Sequence, residues 1–229
     1  MNKKNQDFKG RRTILTGMGV AAAGLAVGAT TASAQGASTG FKPARHPQDA
    51  WLDKMPGDHR VFIDSATALG GAEALPYAMN LFNAQAGAYD GGPEDFAMVV
   101  CFRHFSTPFG YNDGAWEKYG EGFNRFMNFP DPETGEPPKI NLMNVPGRPT
   151  LPNQGVTVDA VRSKGTQIAI CDHATHVFSG FLDSWGFGAT DEIYEELVAS
   201  AIPDSIFVSA GVMATTRAQE YGYSLLYAG

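Results

Sequence analysis

The run Phe96-Ala97-Met98-Val99-Val100-Cys101-Phe102 constrains the fold more than any other stretch of this chain. It has no polar position on either face. Such a run suits a strand buried on both sides, as in a parallel sheet with helices above and below. It is bounded by Gly91-Gly92-Pro93 on one side and by Arg103-His104 on the other. A chain that must bury this strand needs covering layers, and the rest of the sequence supplies them.

Helix-like and strand-like segments alternate from residue 58 onward. A first strand is predicted over 58–64, in Asp58-His59-Arg60-Val61-Phe62-Ile63-Asp64, followed by a polar, glycine-bearing turn over 65–71. Residues 72–85 place Leu75, Met79, Leu81 and Phe82 at helical spacing, with Pro76 tolerable in a first turn. Asn112-Asp113 offers a helix cap ahead of Trp116 and Tyr119. A helix over 157–164 precedes a strand ending at Cys171, and a further helix runs to about residue 185. Thr190-Asp191-Glu192 opens the next helix, with a capping residue and an acidic first turn, and Pro203 stops it. A strand over 205–209, a helix over 212–221 and a strand over 223–227 close the chain. This alternation predicts a three-layer α/β domain with a mostly parallel sheet over 58–229.

Two segments stand apart. Residues 35–57 are polar, carry Pro43, Pro47 and Pro56, and read as a surface tether. Residues 128–155 hold seven of the 14 prolines and form an insertion, with a short strand expected at 140–143. A loop of this length acts as a lid, a subunit contact or a mobile segment, or is a passive surface loop.

The N-terminus reads as an address. Lys3, Lys4 and Lys9 precede Arg11-Arg12, then a weakly apolar Gly/Ala-rich stretch reaches about Val27, and Ala32-Ser33-Ala34 is a small-x-small cleavage site. Residues 1–34 therefore look like a twin-arginine signal peptide, and the expected location is the periplasm, reached in the folded state. Cleavage leaves 195 residues, enough for one core. The whole chain carries a formal charge of −7, and removal of the basic leader takes it to −11. Such an acidic product argues against nucleic-acid binding, which needs clustered Lys and Arg. No later run reaches membrane-spanning length.

The strand-to-helix junction around Ile168-Ala169-Ile170-Cys171-Asp172-His173-Ala174-Thr175-His176 carries the chemistry. In an open α/β sheet, ligands bind at the carboxyl ends of the strands. A thiol placed there meets unpaired helix N–H groups, which favour a nucleophilic thiolate. The structural alternative is a buried cysteine that acts as a small hydrophobe. Cys101 is the only other cysteine, and pairing with Cys171 would need Cα atoms within roughly 7 Å.

The last third of the chain is similar to a known family. The strand ending in Cys171, then Ile202-Pro203, Phe207-Val208-Ser209-Ala210-Gly211-Val212 and Gln219-Glu220-Tyr221-Gly222-Tyr223, resembles the DsrE/DsrF-like family, which includes the Tus-type sulfur-relay subunits. The stretch with Arg103-His104 and Asn112-Asp113-Gly114-Ala115-Trp116 resembles an exported branch of it. The resemblance implies a five-stranded flavodoxin-like sheet and a homo-oligomer, trimer or hexamer. It also implies a cysteine, matched here by Cys171, that carries sulfur as a persulfide. The chain departs from the relay subunits in its export signal, in Asp172, His173 and His176 after the cysteine, and in the Pro-rich insertion.

Three functions follow. In the first, Cys171 is a reactive thiol that passes sulfane sulfur between a donor and an acceptor protein, supported by Arg103 and His173, with no cofactor required. In the second, Cys171, His173 and His176, with His104 as a fourth ligand, hold copper, zinc or haem. In the third, the chain is a non-catalytic oligomeric binding subunit whose Phe178, Phe181, Trp185 and Phe187 form core or subunit contact. Ser65 and Thr67 are expected at the same sheet edge, and Gly70-Gly71 reads as a tight turn, since neither a dinucleotide fingerprint nor a P-loop lysine accompanies it. Neither a Ser-His-Asp order nor a paired-carboxylate spacing supports a hydrolase.

Overall fold

The computed structural model describes residues 42–229. The signal peptide expected at 1–34 and the first part of the expected tether lie outside the described residues. Five strands are present among the described residues: β1 (His59–Ser65), β2 (Phe96–Phe102), β3 (Gln167–Cys171), β4 (Ile206–Val208) and β5 (Ser224–Ala228). They form one sheet in the order β4-β3-β2-β1-β5, and every neighbouring pair is parallel.

Steps from β1 to β4 all move in one direction, and the last connection returns across the sheet to the far side of β1. Right-handed crossovers then place the helices on opposite faces. One face is covered by α2 (Ala68–Ala88), α3 (Asp113–Met127), α4 (Val158–Arg162), α5 (Asp172–Ser184) and α6 (Thr190–Ala199). Ile63, Val100, Phe102, Ile168 and Ile170 point into that layer and meet Leu75, Phe82, Trp116 and Phe123. The other face is covered by α7 (Gly211–Glu220) and the short α1 (Trp51–Lys54). There Phe62, Val99, Cys101 and Ala169 pack on Ala214, Ala218 and Leu52. The architecture is the three-layer, flavodoxin-like α/β arrangement. All seven positions of β2 are buried, and each large apolar side chain so covered stabilises the fold by about 1.5–3 kcal/mol.

Local differences from the sequence reading have clear causes. Gly70-Gly71 is not a tight turn but lies in the first turns of α2, whose cap is Thr67 accepting the Gly70 N–H at 2.8 Å. A Cβ on Gly70 would lie 2.2 Å from the Ala228 carbonyl oxygen, so glycine lets the helix start against the end of β5. Residues 42–57 lie against the domain and include the short α1. Leu52 is buried in the α7-side core, Tyr223 donates to its carbonyl at 2.8 Å, and the Arg45 guanidinium lies 4.0 Å over the Tyr221 ring. Thr190 does not cap α6. Ala189 occupies that position, and the Thr190 N–H and hydroxyl both donate to Asp183.

The Pro-rich insertion is packed rather than passive. The expected strand at 140–143 is replaced by a single 3-10 turn, Leu142–Asn144, capped by Asn141. The Asn141 amide donates to the carbonyls of Phe109 and Tyr111, while Leu142, Met143 and Leu151 enter the core. Arg148 closes the loop through Asp131 at 2.6 Å, a contact that holds the Asp131 carboxyl below its ordinary pKa. No helix among the described residues is long and apolar enough to cross a membrane.

Candidate functional site

β3 delivers Cys171 to the carboxyl edge of the sheet, and α5 begins at the next residue. Cys171 is the N-cap of that helix, and its sulfur accepts the Ala174 N–H at 3.4 Å. The second donor comes from a distant part of the chain. β4 lies beside β3, with Val208 opposite Cys171, so the chain leaving β4 turns into α7 next to the thiol. Gly211, the first residue of α7, donates its N–H to the same sulfur at 3.2 Å. The His173 N–H, bonded to the Ser209 carbonyl at 3.2 Å, ties the two junctions together. Two helix N-termini thus converge on one sulfur atom. Their free N–H groups and aligned dipoles favour negative charge at that point.

Above the sulfur opens a cleft of about 250 Å³. Its walls are mainly Phe105, Phe126, Val177, Phe178, Phe181 and Val212. Phe126 and Phe178 meet edge to face at 4.6 Å and fix the inner wall. Val177 and Phe181 remain 43% and 47% exposed at the mouth. Cys171 itself is only 4% exposed, so a reagent reaches it through this opening.

The supporting residues are placed unequally. Arg103 lines the cleft, but its guanidinium is already engaged. Nε and Nη2 lie 2.5 and 2.8 Å from the two carboxylate oxygens of Asp64, which is 3% exposed. The Asp64 bond raises the Arg103 pKa above its ordinary value. Arg103 therefore serves the site as a wall whose charge is neutralised by a carboxylate. Its aliphatic stem also lies against Gly211, where a Cβ would sit 2.4 Å from the Arg103 Cβ. His173 and His104 line the cleft and are exposed. His104 holds a left-handed backbone, φ +52°, at the turn out of β2.

His176 belongs elsewhere. Its ring stacks on Tyr194 at 3.9 Å, and Nε2 lies 3.7 Å from Asp172. Asp172 also accepts the Tyr194 hydroxyl at 2.7 Å, and this bond pushes the Tyr194 pKa up. Cys171, His173 and His104 thus share one cleft, whereas His176 is turned to α6. No group of three or more His, Cys, Asp or Glu side chains is gathered for a metal ion among the described residues. Ser65 and Thr67 also lie apart from the cleft. β1 is two strands from β3, and Ser65 instead bonds Cys101 O at 2.8 Å and Ser106 at 2.9 Å. Both cysteines are free. Of the aromatic series after the site, Phe178 and Phe181 line the cleft, while Trp185 and Phe187 pack against the core of the thicker layer.

Sequence reasoning missed two participants. Asp64 reads as the polar end of a strand, and nothing local links it to Arg103. Gly211 carries a signal only once β4 is known to neighbour β3, since the helix-opening glycine then falls beside Cys171 at the carboxyl edge of the sheet. Models of known protein families match no part of the chain, and no curated protein sequence matches it. The site is therefore read from its own chemistry.

Proposed function

We propose that this protein handles sulfane sulfur through Cys171, as an exported, DsrE-like thiol or persulfide relay. The observation that carries the reading is the pair of N–H donors, from Ala174 and Gly211, aimed at a cysteine sulfur on the floor of an open cleft. Charged acceptors make stronger hydrogen bonds than neutral ones, so the same two donors serve a sulfur anion best. A thiolate, not a thiol, is the nucleophile in sulfur exchange.

In the forward step the Cys171 thiolate attacks the outer sulfur of a donor persulfide, R–S–SH. The Sγ–S bond forms, the donor S–S bond breaks, and R–S⁻ leaves. Cys171 then holds a persulfide, and the reverse step hands the outer sulfur to an acceptor thiol. No net oxidant or reductant is consumed. The N–H groups of Ala174 and Gly211 hold the attacking sulfur in place. His173, at the mouth, is positioned to give a proton to the leaving thiolate. Arg103 keeps Gly211 in register as a positioning residue.

The reading includes the twin-arginine signal, a periplasmic location, a homo-oligomer and a sulfur-donor or acceptor protein as partner. Native mass spectrometry of the mature protein taken from its own compartment, with and without reductant, tests it. A reductant-labile gain of sulfur mapped to Cys171 supports the relay. A metal or haem mass that survives reductant, and is lost in the His104→Ala, His173→Ala variant, overturns it in favour of a cofactor protein. The same spectrum gives the oligomeric state.

A further inference from the structure

We infer that the sulfur compound accepted by this cleft is neutral and apolar, of the class of elemental sulfur rings, rather than an anion such as thiosulfate. The inference rests on the sulfane-sulfur reading of Cys171 and names its substrate class. The walls above the sulfur are aromatic and aliphatic: Phe105, Phe126, Val177, Phe178, Phe181 and Val212. An anionic donor would be held best by a permanently charged, unpaired lysine or arginine at this place. Among the described residues, Arg103 is the only lysine or arginine lining the cleft, and its guanidinium fork is bound to the Asp64 carboxylate on both sides. The N–H groups at the floor already point at Sγ. The whole chain carries a formal charge of −7, which adds no long-range attraction for anions. The volume of about 250 Å³ lies just under the ordinary range for small-molecule sites and selects a compact ligand. A neutral sulfane ring satisfies each condition: it is compact, has no charge to solvate and gains from leaving water.

The chemistry balances without a further reactant. The Cys171 thiolate attacks one sulfur of cyclo-octasulfur, the Sγ–S bond forms, and the adjacent ring S–S bond breaks. All eight ring atoms stay on the protein as a linear chain, and the negative charge moves to the terminal sulfur. That end lies toward the mouth, where His104 and His173 are exposed. An acceptor thiolate then attacks a sulfur of this chain, the S–S bond on its cysteine side breaks, the outer sulfurs leave on the acceptor and Cys171 keeps a shorter polysulfide anion.

The test loads the purified protein, reduced beforehand, with cyclo-octasulfur, inorganic polysulfide or thiosulfate in parallel. Intact mass and peptide mapping read the adducts over time. The expected result is loading of Cys171 by cyclo-octasulfur, none by thiosulfate, and a ratio of ring to polysulfide rates that falls at least tenfold in Phe181→Lys and in Val177→Glu. Both positions are about half exposed, and circular dichroism checks that each variant is folded. Loading by polysulfide or thiosulfate without loading by the ring overturns the apolar substrate class and leaves the relay standing. An unchanged rate ratio in both variants also overturns it. A Cys171 inert to all three donors removes the relay, and this inference with it.

Discussion

Cys101 and Cys171 lie on neighbouring strands of one sheet, and both are free and almost sealed from water. The comparison shows that burial alone does not decide what a thiol can do. Cys101 sits one residue before the end of β2, where its backbone is tied into the ladder and its side chain faces the α7-side core. Burial, followed by the nearby Asp64 carboxylate, pushes its pKa well above the ordinary thiol value. Cys171 is the final residue of β3, where the ladder ends and two helices begin. It gains two N–H donors and an opening to solvent from that position. A shift of one strand and two residues of register separates a packing thiol from a presented one.

The largest effect should come from testing that contrast directly. In the native protein a small thiol reagent is expected to modify Cys171 and leave Cys101 untouched. Cys171→Ser should abolish native labelling, and Cys101→Ala should leave it unchanged. Mass mapping of the labelled peptide decides this, and label on Cys101 without denaturant would break the comparison. Raising the pH to about 9, past the ordinary thiol pKa, should not add label at Cys101 while the fold persists.

The next effect concerns the wall of the presented site, where Arg103 pairs with Asp64. Asp64→Ala leaves a mostly buried guanidinium without its carboxylate, and losing one partner of such a pair costs about 3–5 kcal/mol. Arg103 is partly exposed, so the lower end is expected. Urea denaturation measures it. A loss below about 1 kcal/mol would show that Arg103 swings to solvent and that the pair does not hold the cleft wall.

How much of this was legible follows the range of each signal. The β2 run, the Asn112 cap and the placement of Cys171 at a strand end are local, and the structure has all three. Strand order is not local. The place of β4 beside β3 brings Gly211 to the thiol, and the distance of β1 from β3 removes Ser65 and Thr67 from it. Side-chain pairing across strands is equally invisible along the chain, so a carboxylate partner for Arg103 can be expected but Asp64 cannot be named until β1 is placed beside β2. The Pro-rich insertion misleads because proline reports what a backbone cannot do, whereas its order comes from Asn141, Leu142 and Leu151 docking elsewhere.

Gly211→Ala sharpens the role of the second donor. Its Cβ would fall 2.4 Å from the Arg103 Cβ and 2.6 Å from Cδ. The Cβ–Cβ clash involves atoms fixed to backbone, so α7 must shift away. Overpacking of this kind costs about 1–3 kcal/mol. The Gly211 N–H moves off the sulfur with it, and the rate of Cys171 labelling should fall about tenfold, the equivalent of roughly one hydrogen bond of 1.4 kcal/mol. A variant that is destabilised yet labels at the native rate would mean that the Ala174 donor alone suffices.

The smallest effect belongs to Cys101. Cys101→Ala removes one buried sulfur, and the resulting small void should cost about 1 kcal/mol at neutral pH. The size of this cost changes with pH. The native state keeps the Cys101 proton because its pKa is raised, while the unfolded chain releases it above about pH 8.5. The unfolded state then binds fewer protons than the native one, and native stability falls as pH rises through that window. The contribution is fully present below the unfolded thiol value. Alanine has no such proton to lose. The stability gap between the native protein and Cys101→Ala should therefore shrink between about pH 8 and 9.5, below the range where the buried tyrosines begin to matter. Parallel urea titrations across that range follow it. A constant gap would mean that the Cys101 thiolate is accommodated in the native core, and the distinction between the two thiols would then rest on access alone.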